Sequence, residues 1–407
     1  MQAKLMANKE TQFGTDQAAK LRELASTLIG TYEEEKWGKD QAANLRKLAN
    51  NPIDTYQEKS DVELINNPID IYKGQFIEFG GFFPVIAKHN DTAYVFCRTN
   101  AGHLGRSGQI TVLTSNNGID WYKNGVIKKA NSDVRNPSVF IFPNGELLVS
   151  AYKYNVYTED GFASPELPSG RRKPLLFSSK NDGKTWQEKY STFVNVLAKI
   201  GRFSPHGQMF FHQGKLMMPV YNQLGAFLLS SANKGKDWEI FSHIAKDVCE
   251  PSVVVMPNNE LLAVLRACSR HQGSLISHYI NNKWTEPIDI TKRSQKPANL
   301  LTLSTGQILL TYGDRKAEQQ RILARLSSDN GQTWSQPVQI SETFKNCDFG
   351  YPSTIELKKG HLLTVFYASP AENPYFNFKN PDYYNNLKSA GYYYNYSLQE
   401  LQKRSGQ

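Results

Sequence analysis

A short pattern that ends in tryptophan recurs along this chain and restricts its fold more than any other feature. Five of the six tryptophans end a copy, and the copies are Thr114–Trp121, Ser179–Trp186, Ser231–Trp238, Ser277–Trp284 and Ser327–Trp334. Four copies have Asn or Asp two residues after the first hydroxyl residue and Gly two residues later, whereas the fourth in order has Asn281 at the Gly position. Copies at spacings of roughly 45–65 residues indicate a propeller or a solenoid.

The composition of the pattern is typical of a hairpin turn. Gly supplies the positive φ that a tight turn between two strands needs. The Asn or Asp side chain can bond nearby backbone groups and hold the loop. The Trp offers a large apolar face to the next sheet while its indole N–H finds a partner. We therefore interpret each copy as a turn held by its own side chains.

A second repeat precedes each copy of the first. It is an X-Pro pair, found as Phe83-Pro84, Asn136-Pro137, Ser204-Pro205, Glu250-Pro251, Lys296-Pro297 and Tyr351-Pro352. Most pairs are followed by an apolar alternating run, a polar turn and another apolar run, which predicts antiparallel hairpins. Pro suits the first residue of a strand. Six units predict an all-β fold, a six-bladed β-propeller of four-stranded antiparallel blades with the X-Pro pairs around its axis.

The N-terminal residues have a different pattern. Residues 16–25 recur almost verbatim as 40–49, with Leu at the spacing of an amphipathic helix and Asn-Asn-Pro steps that end each helix. We predict a short helical N-terminal arm over residues 1–68 and the propeller over residues 69–407. The arm is either a duplicated spacer or a segment that docks a partner or oligomerises. Residues 69–77 are predicted to form the outermost strand of the last blade, which closes the ring.

Composition and charge exclude several classes of protein. The chain has 47 basic and 38 acidic residues, a net charge of +9. The basic residues are interspersed and accompany no nucleic-acid motif, so we predict no nucleic-acid partner. The charge is either ordinary surface charge or a positive funnel that attracts anionic sugars. The sequence lacks both a membrane-length apolar run and the apolar core of a signal peptide, so we expect a cytoplasmic protein without a membrane partner. The four cysteines have no metal-ligand spacing, and no metal or cofactor is predicted.

The tryptophan pattern resembles the Asp box of the sialidase superfamily, and the resemblance covers roughly residues 76–395. It implies an exo-acting glycoside hydrolase whose partner is an anionic glycan or glycoconjugate. In sialidases a Tyr at the start of the last blade is the nucleophile, and a Glu two blades earlier takes its proton. Gly350–Ser353 resembles the Tyr segment of the family and Cys249–Val253 its Glu segment. The resemblance therefore assigns Tyr351 as nucleophile and Glu250 as its base.

Sialidases hold the carboxylate of the substrate with arginines, because the guanidinium fork pairs with a carboxylate through two hydrogen bonds. The candidates for substrate binding in this chain are Arg98, Arg135, Arg266 and Arg321. Arg315 is a rival to Arg321. Phe83 stands where the family has its first arginine, so ordinary sialosides are expected to be poor substrates.

The acid that protonates the leaving oxygen has two candidates, His103 and Asp133. His103 follows Arg98 in a Gly-rich loop where sialidases carry an Asp, and its ordinary pKa lies near neutrality. Asp133 precedes the X-Pro pair of the second blade. Tyr367 stands where the family has a Glu behind the nucleophile. Two other functions stay open: a polysaccharide lyase that uses His103 and Tyr351 for β-elimination at a uronate, and a non-catalytic propeller that binds glycans or proteins.

Overall fold

Six β-sheets surround a central axis in the protein. The computed structural model describes residues 72–103, 105–154, 172–190, 192–269, 271–316, 318–345, 347–370 and 389–406. Neighbouring sheets contact one another through their inner strands, and the contacts close a ring. The six-bladed β-propeller predicted from the two repeats is confirmed, while the predicted helical arm over residues 1–68 lies outside the described residues.

The strands follow one another in nearly regular groups of four. In chain order they are β1 (Tyr72–Ile77), β2 (Phe82–His89), β3 (Thr92–Thr99), β4 (Gln109–Ser115), β5 (Tyr122–Ile127), β6 (Asp133–Ile141), β7 (Leu147–Tyr154), β8 (Arg172–Ser179), β9 (Gln187–Lys189), β10 (Ser204–Pro205), β11 (Gly207–Gln208), β12 (Phe210–His212), β13 (Lys215–Asn222), β14 (Gly225–Ser231), β15 (Glu239–Ala245), β16 (Val248–Val255), β17 (Leu261–Ala267), β18 (Ser274–Ile280), β19 (Lys283–Trp284), β20 (Ile288–Asp289), β21 (Gln295–Thr302), β22 (Ile308–Asp314), β23 (Arg321–Ser327), β24 (Val338–Gln339), β25 (Cys347–Lys358), β26 (His361–Pro370) and β27 (Ala390–Ser397). Two short helices, α1 (Val194–Ile200) and α2 (Leu398–Ser405), complete the described elements. Neither helix is long or apolar enough to cross a membrane.

The blades are β2–β5, β6–β9, β10 with β12–β15, β16–β20, β21–β24, and β25–β27 with β1. Only the third blade interrupts its inner strand within the described part of the chain. There the chain leaves β10 at Pro205, and β11 pairs in parallel with β6 of the second blade, Gly207 opposite Ser138. The third blade is therefore joined to the second by backbone hydrogen bonds as well as by side-chain packing.

The last blade contains both the first strand and the last strand of the propeller. Strand β1 pairs antiparallel with β27, from Tyr72 opposite Asn395 to Ile77 opposite Gly391. This confirms the predicted outermost strand. The Phe76 ring lies 6.1 Å from the ring of Trp121 in the first blade. Because this strand belongs to the last sheet and also packs against the first, it ties the ring shut.

The inner strands begin with an unusual backbone conformation. The pre-proline residues Phe83, Asn136, Glu250 and Tyr351 have φ of 51°, 47°, 48° and 57°. Positive φ is uncommon for residues other than Gly, and a following Pro disfavours the right-handed helical region. The register of each of these strands shifts at the X-Pro pair. A bulge of this kind bends a strand and redirects a side chain. Phe83, Asn136 and Tyr351 line a small cavity between the inner strands.

The Asp boxes hold the outer turns as the pattern predicts. Ser179 Oγ accepts a hydrogen bond from the Gly183 N–H (3.0 Å), and the Trp186 indole donates to the Gly183 carbonyl (2.9 Å). Ser231 and Ser327 accept the same Gly N–H bond in their boxes. The Trp334 indole likewise donates to the Gly331 carbonyl, whereas the buried indole N–H groups of Trp121 and Trp238 have no hydrogen-bond partner among the described residues.

Two boxes depart from the predicted pattern. The first begins at Ser115, whose Oγ accepts from the Gly118 N–H (2.8 Å), so the alignment on Thr114 is wrong by one residue. This box is one residue shorter between its hydroxyl and its Gly. In the eroded copy, Asn281 and Asn282 both have positive φ and connect β18 to β19. Two such residues form the tight turn that suits a two-residue hairpin.

The hydrophobic core is divided among the interfaces between blades. Within the described residues, six large apolar clusters each join two neighbouring sheets, one cluster for each interface of the ring. Stability therefore depends on every blade having both neighbours, and the closing strand affects the whole ring.

Removal of the Phe76 ring should destabilise the propeller, because Phe76 is 4% exposed and lies in the core between the last and first blades. Truncation of a buried Phe to Ala typically costs about 3–5 kcal/mol. Urea denaturation of Phe76→Ala should show a loss of this order. Tyr72→Ala, on the same strand but 58% exposed, should change the free energy of unfolding by less than about 0.5 kcal/mol. Similar small losses in both variants would contradict closure of the ring by β1.

Candidate active site

Tyr351, Glu250 and Arg266 form a hydrogen-bonded group at the axis. The Tyr351 hydroxyl donates to Glu250 Oε1 at 2.6 Å. Arg266 Nη1 donates to Glu250 Oε2 at 2.7 Å and to the Tyr351 oxygen at 3.1 Å. Glu250 and Tyr351 are pre-proline residues of the fourth and sixth blades, and Arg266 lies on β17 beside the first of them. Residues 101 positions apart in the chain thus share one hydrogen-bond network.

Glu250 is held as a carboxylate. Burial opposes its ionisation, but the charges of Arg266 and His206 and the hydrogen bonds from Tyr351 and Arg266 outweigh burial and lower its pKa to about 2. A buried charge is tolerated when it is paired and hydrogen-bonded in this way. Glu250 is therefore available as a proton acceptor across the ordinary pH range.

Tyr351 is held as a neutral phenol. Burial and then the negative charge of Glu250 raise its pKa well above the ordinary value, while Arg266 acts in the opposite direction. The strong bond to Glu250 gives the hydroxyl proton a defined acceptor. The arrangement is that of a nucleophile with an adjacent base.

A second charged group lies beside the first. His103 Nδ1 is 2.5 Å from Asp348 Oδ2, and Arg315 Nη2 donates to Asp348 Oδ1 at 2.9 Å. Burial raises the pKa of Asp348, but His103 and Arg315 outweigh it and bring that pKa to about 2. The ionised Asp348 fixes which nitrogen of His103 carries the proton and leaves Nε2 as the other reactive position.

Burial shifts the pKa of His103 in the direction opposite to its effect on Asp348. It lowers the pKa of the imidazole, and the charges of Arg135 and Arg98 lower it further, whereas Asp348 raises it. The net direction is downward, which keeps His103 mostly neutral at neutral pH. Both proton donation in acid and proton acceptance near neutrality are chemically open to it.

Phe83 joins these two groups. Its ring is 4.9 Å from the ring of Tyr351 and 5.1 Å from that of His103, in edge-to-face geometry. The Arg135 guanidinium lies 5.4 Å from its centroid, and Tyr367 lies 5.5 Å away. An aromatic ring thus stands at the position where the resemblance led us to look for an arginine.

Tyr367 occupies the back of the site. Its ring packs on Phe82 at 5.0 Å, and it is fully buried. Burial and the charge of Asp348 raise the pKa of its hydroxyl well above the ordinary value. That hydroxyl makes no well-formed hydrogen bond with any residue that the structure describes. It is a neutral donor aimed at a carboxylate, in the place where the family has a carboxylate of its own.

Arg98 and Asp133 lie inside the protein, not on the surface of a cleft. Arg98 Nε donates to Asp133 Oδ1 at 2.8 Å, and both side chains are 0% exposed. The guanidinium also donates to the backbone carbonyls of Ala101, Gly102 and Gly105. Neither residue is placed to touch a substrate. Their pairing holds the loop that carries His103, which corrects their assignment to substrate binding and to acid catalysis.

Arg135 and Arg321 are also engaged by the protein. Arg135 Nη1 donates to Asp133 Oδ2 at 3.2 Å, and Arg135 is 5% exposed. Arg321 Nε lies 3.6 Å from Asp314 Oδ2 on the neighbouring strand. Of the two arginine candidates in the fifth blade, Arg315 is the one that joins the site, through Asp348. Of the four predicted substrate arginines, Arg266 alone is bonded to the Tyr–Glu pair.

Asp348 is the site residue that the sequence analysis missed. It lies three residues before Tyr351 on the same strand, and a carboxylate so close to the proposed nucleophile is a signal that could have found it. Its partner His103 is 245 residues away in the chain.

An open cleft of about 630 Å³ reaches Glu250, whereas Tyr351 lines the small cavity between the inner strands. Glu250 and Arg266 line it, together with Arg172, Tyr221 and Lys296. The volume is in the range of small-molecule sites. Among the described residues, no group of three His, Cys, Asp or Glu side chains is arranged to hold a metal ion.

Comparisons with known proteins agree with this fold. Residues 96–364 match the BNR repeat-like domain. A Dyadobacter fermentans protein of unknown function has a TM-score of 0.60 at 18% identity, over 81% of this chain and 98% of the other. The Hadza microbial sialidase Hz136 has a TM-score of 0.58 at 15% identity, over 81% and 69%. Trypanosoma rangeli sialidase with 2,3-difluorosialic acid, described as a covalent intermediate, has a TM-score of 0.57 at 14% identity, over 80% and 56%. No curated protein matches the sequence.

The chain therefore belongs to the BNR repeat-like family, and its six-bladed propeller has the same fold as the two sialidases that it matches. Identities of this size establish a shared fold. The chemistry of the site has to be argued from its own residues.

The depressed pKa of Glu250 predicts loss of stability in acid. Folding favours the ionised form of Glu250. The stability that this ionisation contributes is complete above the ordinary pKa of 4.5 and is lost as the pH falls toward about 2. Between about pH 6 and pH 3 it amounts to about 2 kcal/mol. Urea denaturation should show that Glu250→Gln loses less stability than the wild type over this interval, by about that amount.

The exposed Glu239→Gln variant is the matched control and should follow the wild type. If Glu250→Gln and the wild type lose equal stability over the same interval, Glu250 is not held ionised by its partners.

Proposed function

We propose that this protein is a glycoside hydrolase that removes a carboxylated sugar, a sialic acid-like residue or a uronate, from the end of a glycan. The observation that supports this most is the 2.6 Å hydrogen bond from the Tyr351 hydroxyl to Glu250, with Arg266 bonded to both. A Tyr paired with a carboxylate is the nucleophile of sialidases among glycosidases.

In the first step, the Tyr351 oxygen forms a bond to the anomeric carbon while its proton passes to Glu250. The bond from the anomeric carbon to the leaving oxygen breaks, and that oxygen takes up a proton. Because Tyr351 is far less acidic than Glu250, its proton leaves only as the new C–O bond forms. Arg266 stabilises the negative charge that develops on the phenol oxygen. In the second step, water attacks the same carbon and gives a proton to the imidazole of His103, while the Tyr351–carbon bond breaks and the phenol oxygen takes its proton back from Glu250.

His103 is the acid that the geometry favours. Asp133 is fully buried and bonded to two arginines, whereas His103 is partly exposed and fixed by Asp348. His103 must carry a proton to act as an acid, and its pKa lies below 6.5. The hydrolase therefore needs an ionised Glu250 and a protonated His103. The fraction of the protein in that combination falls as the pH rises through the lowered pKa of His103.

The carboxylate of the substrate is assigned to Arg266, because it is the arginine bonded to the Tyr–Glu pair. Phe83 replaces the first arginine of the family, so fewer guanidinium groups donate hydrogen bonds to the carboxylate of the substrate. We infer that ordinary sialosides are poor substrates. A screen of chromogenic glycosides and uronate polymers tests this substrate class.

A polysaccharide lyase is the second candidate, because His103 is neutral near neutral pH. In that reaction His103 takes the proton beside the uronate carboxyl group, Tyr351 protonates the leaving oxygen, and a carbon–carbon double bond forms. The unsaturated uronate absorbs ultraviolet light, whereas hydrolysis yields a saturated free sugar. The product therefore separates the two reactions, and ligand binding without either product would indicate a non-catalytic propeller.

Tyr351→Phe should reduce kcat by more than about 100-fold with little change in KM, because the substitution removes a group that acts in the transition state. Tyr122→Phe, at a position 68% exposed, is the matched control and should keep wild-type rates. Tyr122→Phe should unfold at the wild-type temperature, and Tyr351→Phe should unfold cooperatively but at a lower temperature, because the buried Glu250 loses a hydrogen bond. Full activity in Tyr351→Phe would remove this mechanism.

The pH dependence of kcat/KM separates the two candidate reactions. The hydrolase should lose activity as the pH rises through the lowered pKa of His103, below 6.5. The lyase should gain activity over the same interval, because its base is the neutral imidazole.

Asp348→Asn tests the charge that faces His103. The substitution removes the counter-charge of the imidazolium but leaves Arg135 and Arg98 in place, so the pKa of His103 should fall further. The descending limb of the hydrolase profile should then move to lower pH, whereas Asp289→Asn, at an exposed position, should leave it unchanged. An unshifted limb in Asp348→Asn would exclude His103 as the titrating acid.

A further inference from the structure

Arg172 is a cation of the cleft that the proposed mechanism does not use. It is the first residue of β8 and lies opposite Tyr154 of the same blade. It lines the same cleft as Glu250 and Arg266 but comes from the second blade.

Arg172 has no acidic partner among the residues that the structure describes. Its Nη1 donates to Ser204 Oγ at 3.2 Å, and its buried Nε has no hydrogen-bond partner. A guanidinium that is withdrawn from water without a counter-charge is costly. An anion bound from the cleft would remove that cost.

Two tyrosine rings hold Arg172 in place. The centre of its guanidinium lies 5.7 Å from the ring centroids of both Tyr152 and Tyr221. These rings are 5% and 8% exposed, so they are packed and rigid. Cation–π contacts of this kind stabilise an arginine and fix its position. The cation is therefore pre-organised in a cleft wall.

Two other cations of the cleft are engaged by the protein itself. Arg266 is bonded to Glu250, and the Lys296 ammonium donates to the backbone carbonyls of Ala267, Ser269 and Gln272. Arg172 differs from both because it has one neutral hydroxyl as its hydrogen-bond partner.

We propose that Arg172, with Tyr152 and Tyr221 on either side, is an anion subsite that binds an acidic substituent of the glycan, a carboxylate or a sulfate ester. This inference rests on the proposed function for the identity of the ligand as a glycan. It assigns a second acidic group to the substrate, apart from the carboxylate that Arg266 receives. The preferred substrate class is then an acidic glycan with charge on more than one position.

Thermal unfolding in the presence of sodium glucuronate or sodium sulfate tests the subsite, with sodium chloride added to constant ionic strength. Ligands that bind the folded state raise its melting temperature. Both the wild type and Arg404→Gln, a charge-matched control on α2, should show a saturable rise. Arg172→Met should lose it, because Met keeps an apolar stem between the rings but has no charge. Sulfate also stabilises proteins in general, so the measure is the difference between variants.

The variant without ligand provides a separate readout. If Arg172 without a bound anion is a charge that lacks a counter-charge, its removal should not destabilise the protein. Arg172→Met should then melt at the wild-type temperature or above. A rise with both anions indicates a subsite that accepts either acid, and a rise with one of them identifies that acid. An equal rise in Arg172→Met and wild type, or no rise in the wild type above the chloride control, would overturn the proposal.

Arg172→Lys keeps the proposal testable if Arg172→Met does not fold. The ammonium retains the charge but not the planar fork, so the rise should be at least about halved. An undiminished rise would contradict the subsite. Tyr351→Phe should keep the full response to anions while it loses turnover. If no glycoside is cleaved but Arg172→Met still abolishes the response, the proposed function fails and the subsite stands.

Discussion

The bulge at the start of the inner strands is the constraint on which the candidate site depends. A Pro prevents ladder pairing at its own nitrogen and disfavours the helical region for the residue before it. At four blade starts that residue takes a positive φ, and a bulge of this kind redirects the side chain. Glu250 and Tyr351 are two of these four residues. Their hydrogen bond therefore follows from backbone geometry that is set blade by blade, and the ring of blades brings the two starts together.

The charges of the site are balanced in two groups around one aromatic ring. Arg266 neutralises Glu250, while Arg315 and His103 share Asp348. Each carboxylate stays ionised despite burial because cations and hydrogen bonds outweigh the cost of desolvation. The Phe83 ring lies between the two groups. In the proposed mechanism the first group supplies the nucleophile Tyr351 and its base Glu250, and the second supplies the proton donor His103. This division of roles between two carboxylates in different surroundings is common in glycosidases.

The sequence predicted the fold and the central pair, but not the supporting residues. The five tryptophan boxes indicated a propeller, and the six X-Pro pairs gave the number of blades and placed Glu250 and Tyr351 at blade starts. Asp348 was missed because its partner is distant in the chain and no repeat marks it. Arg98 and Asp133 were assigned to the cleft because they flank the expected mouth. Their burial depends on how the loop after β3 folds back, which no local pattern reports.

Covalent trapping tests the central claim most directly. A fluorinated glycosyl fluoride of whichever sugar the protein releases should react with the nucleophile and leave it slowly. The account predicts one sugar added to the intact protein, located on Tyr351 by peptide mapping, and no adduct in Tyr351→Phe. Rapid turnover of the parent glycoside with the adduct on another residue, or with no adduct at all, would contradict the account.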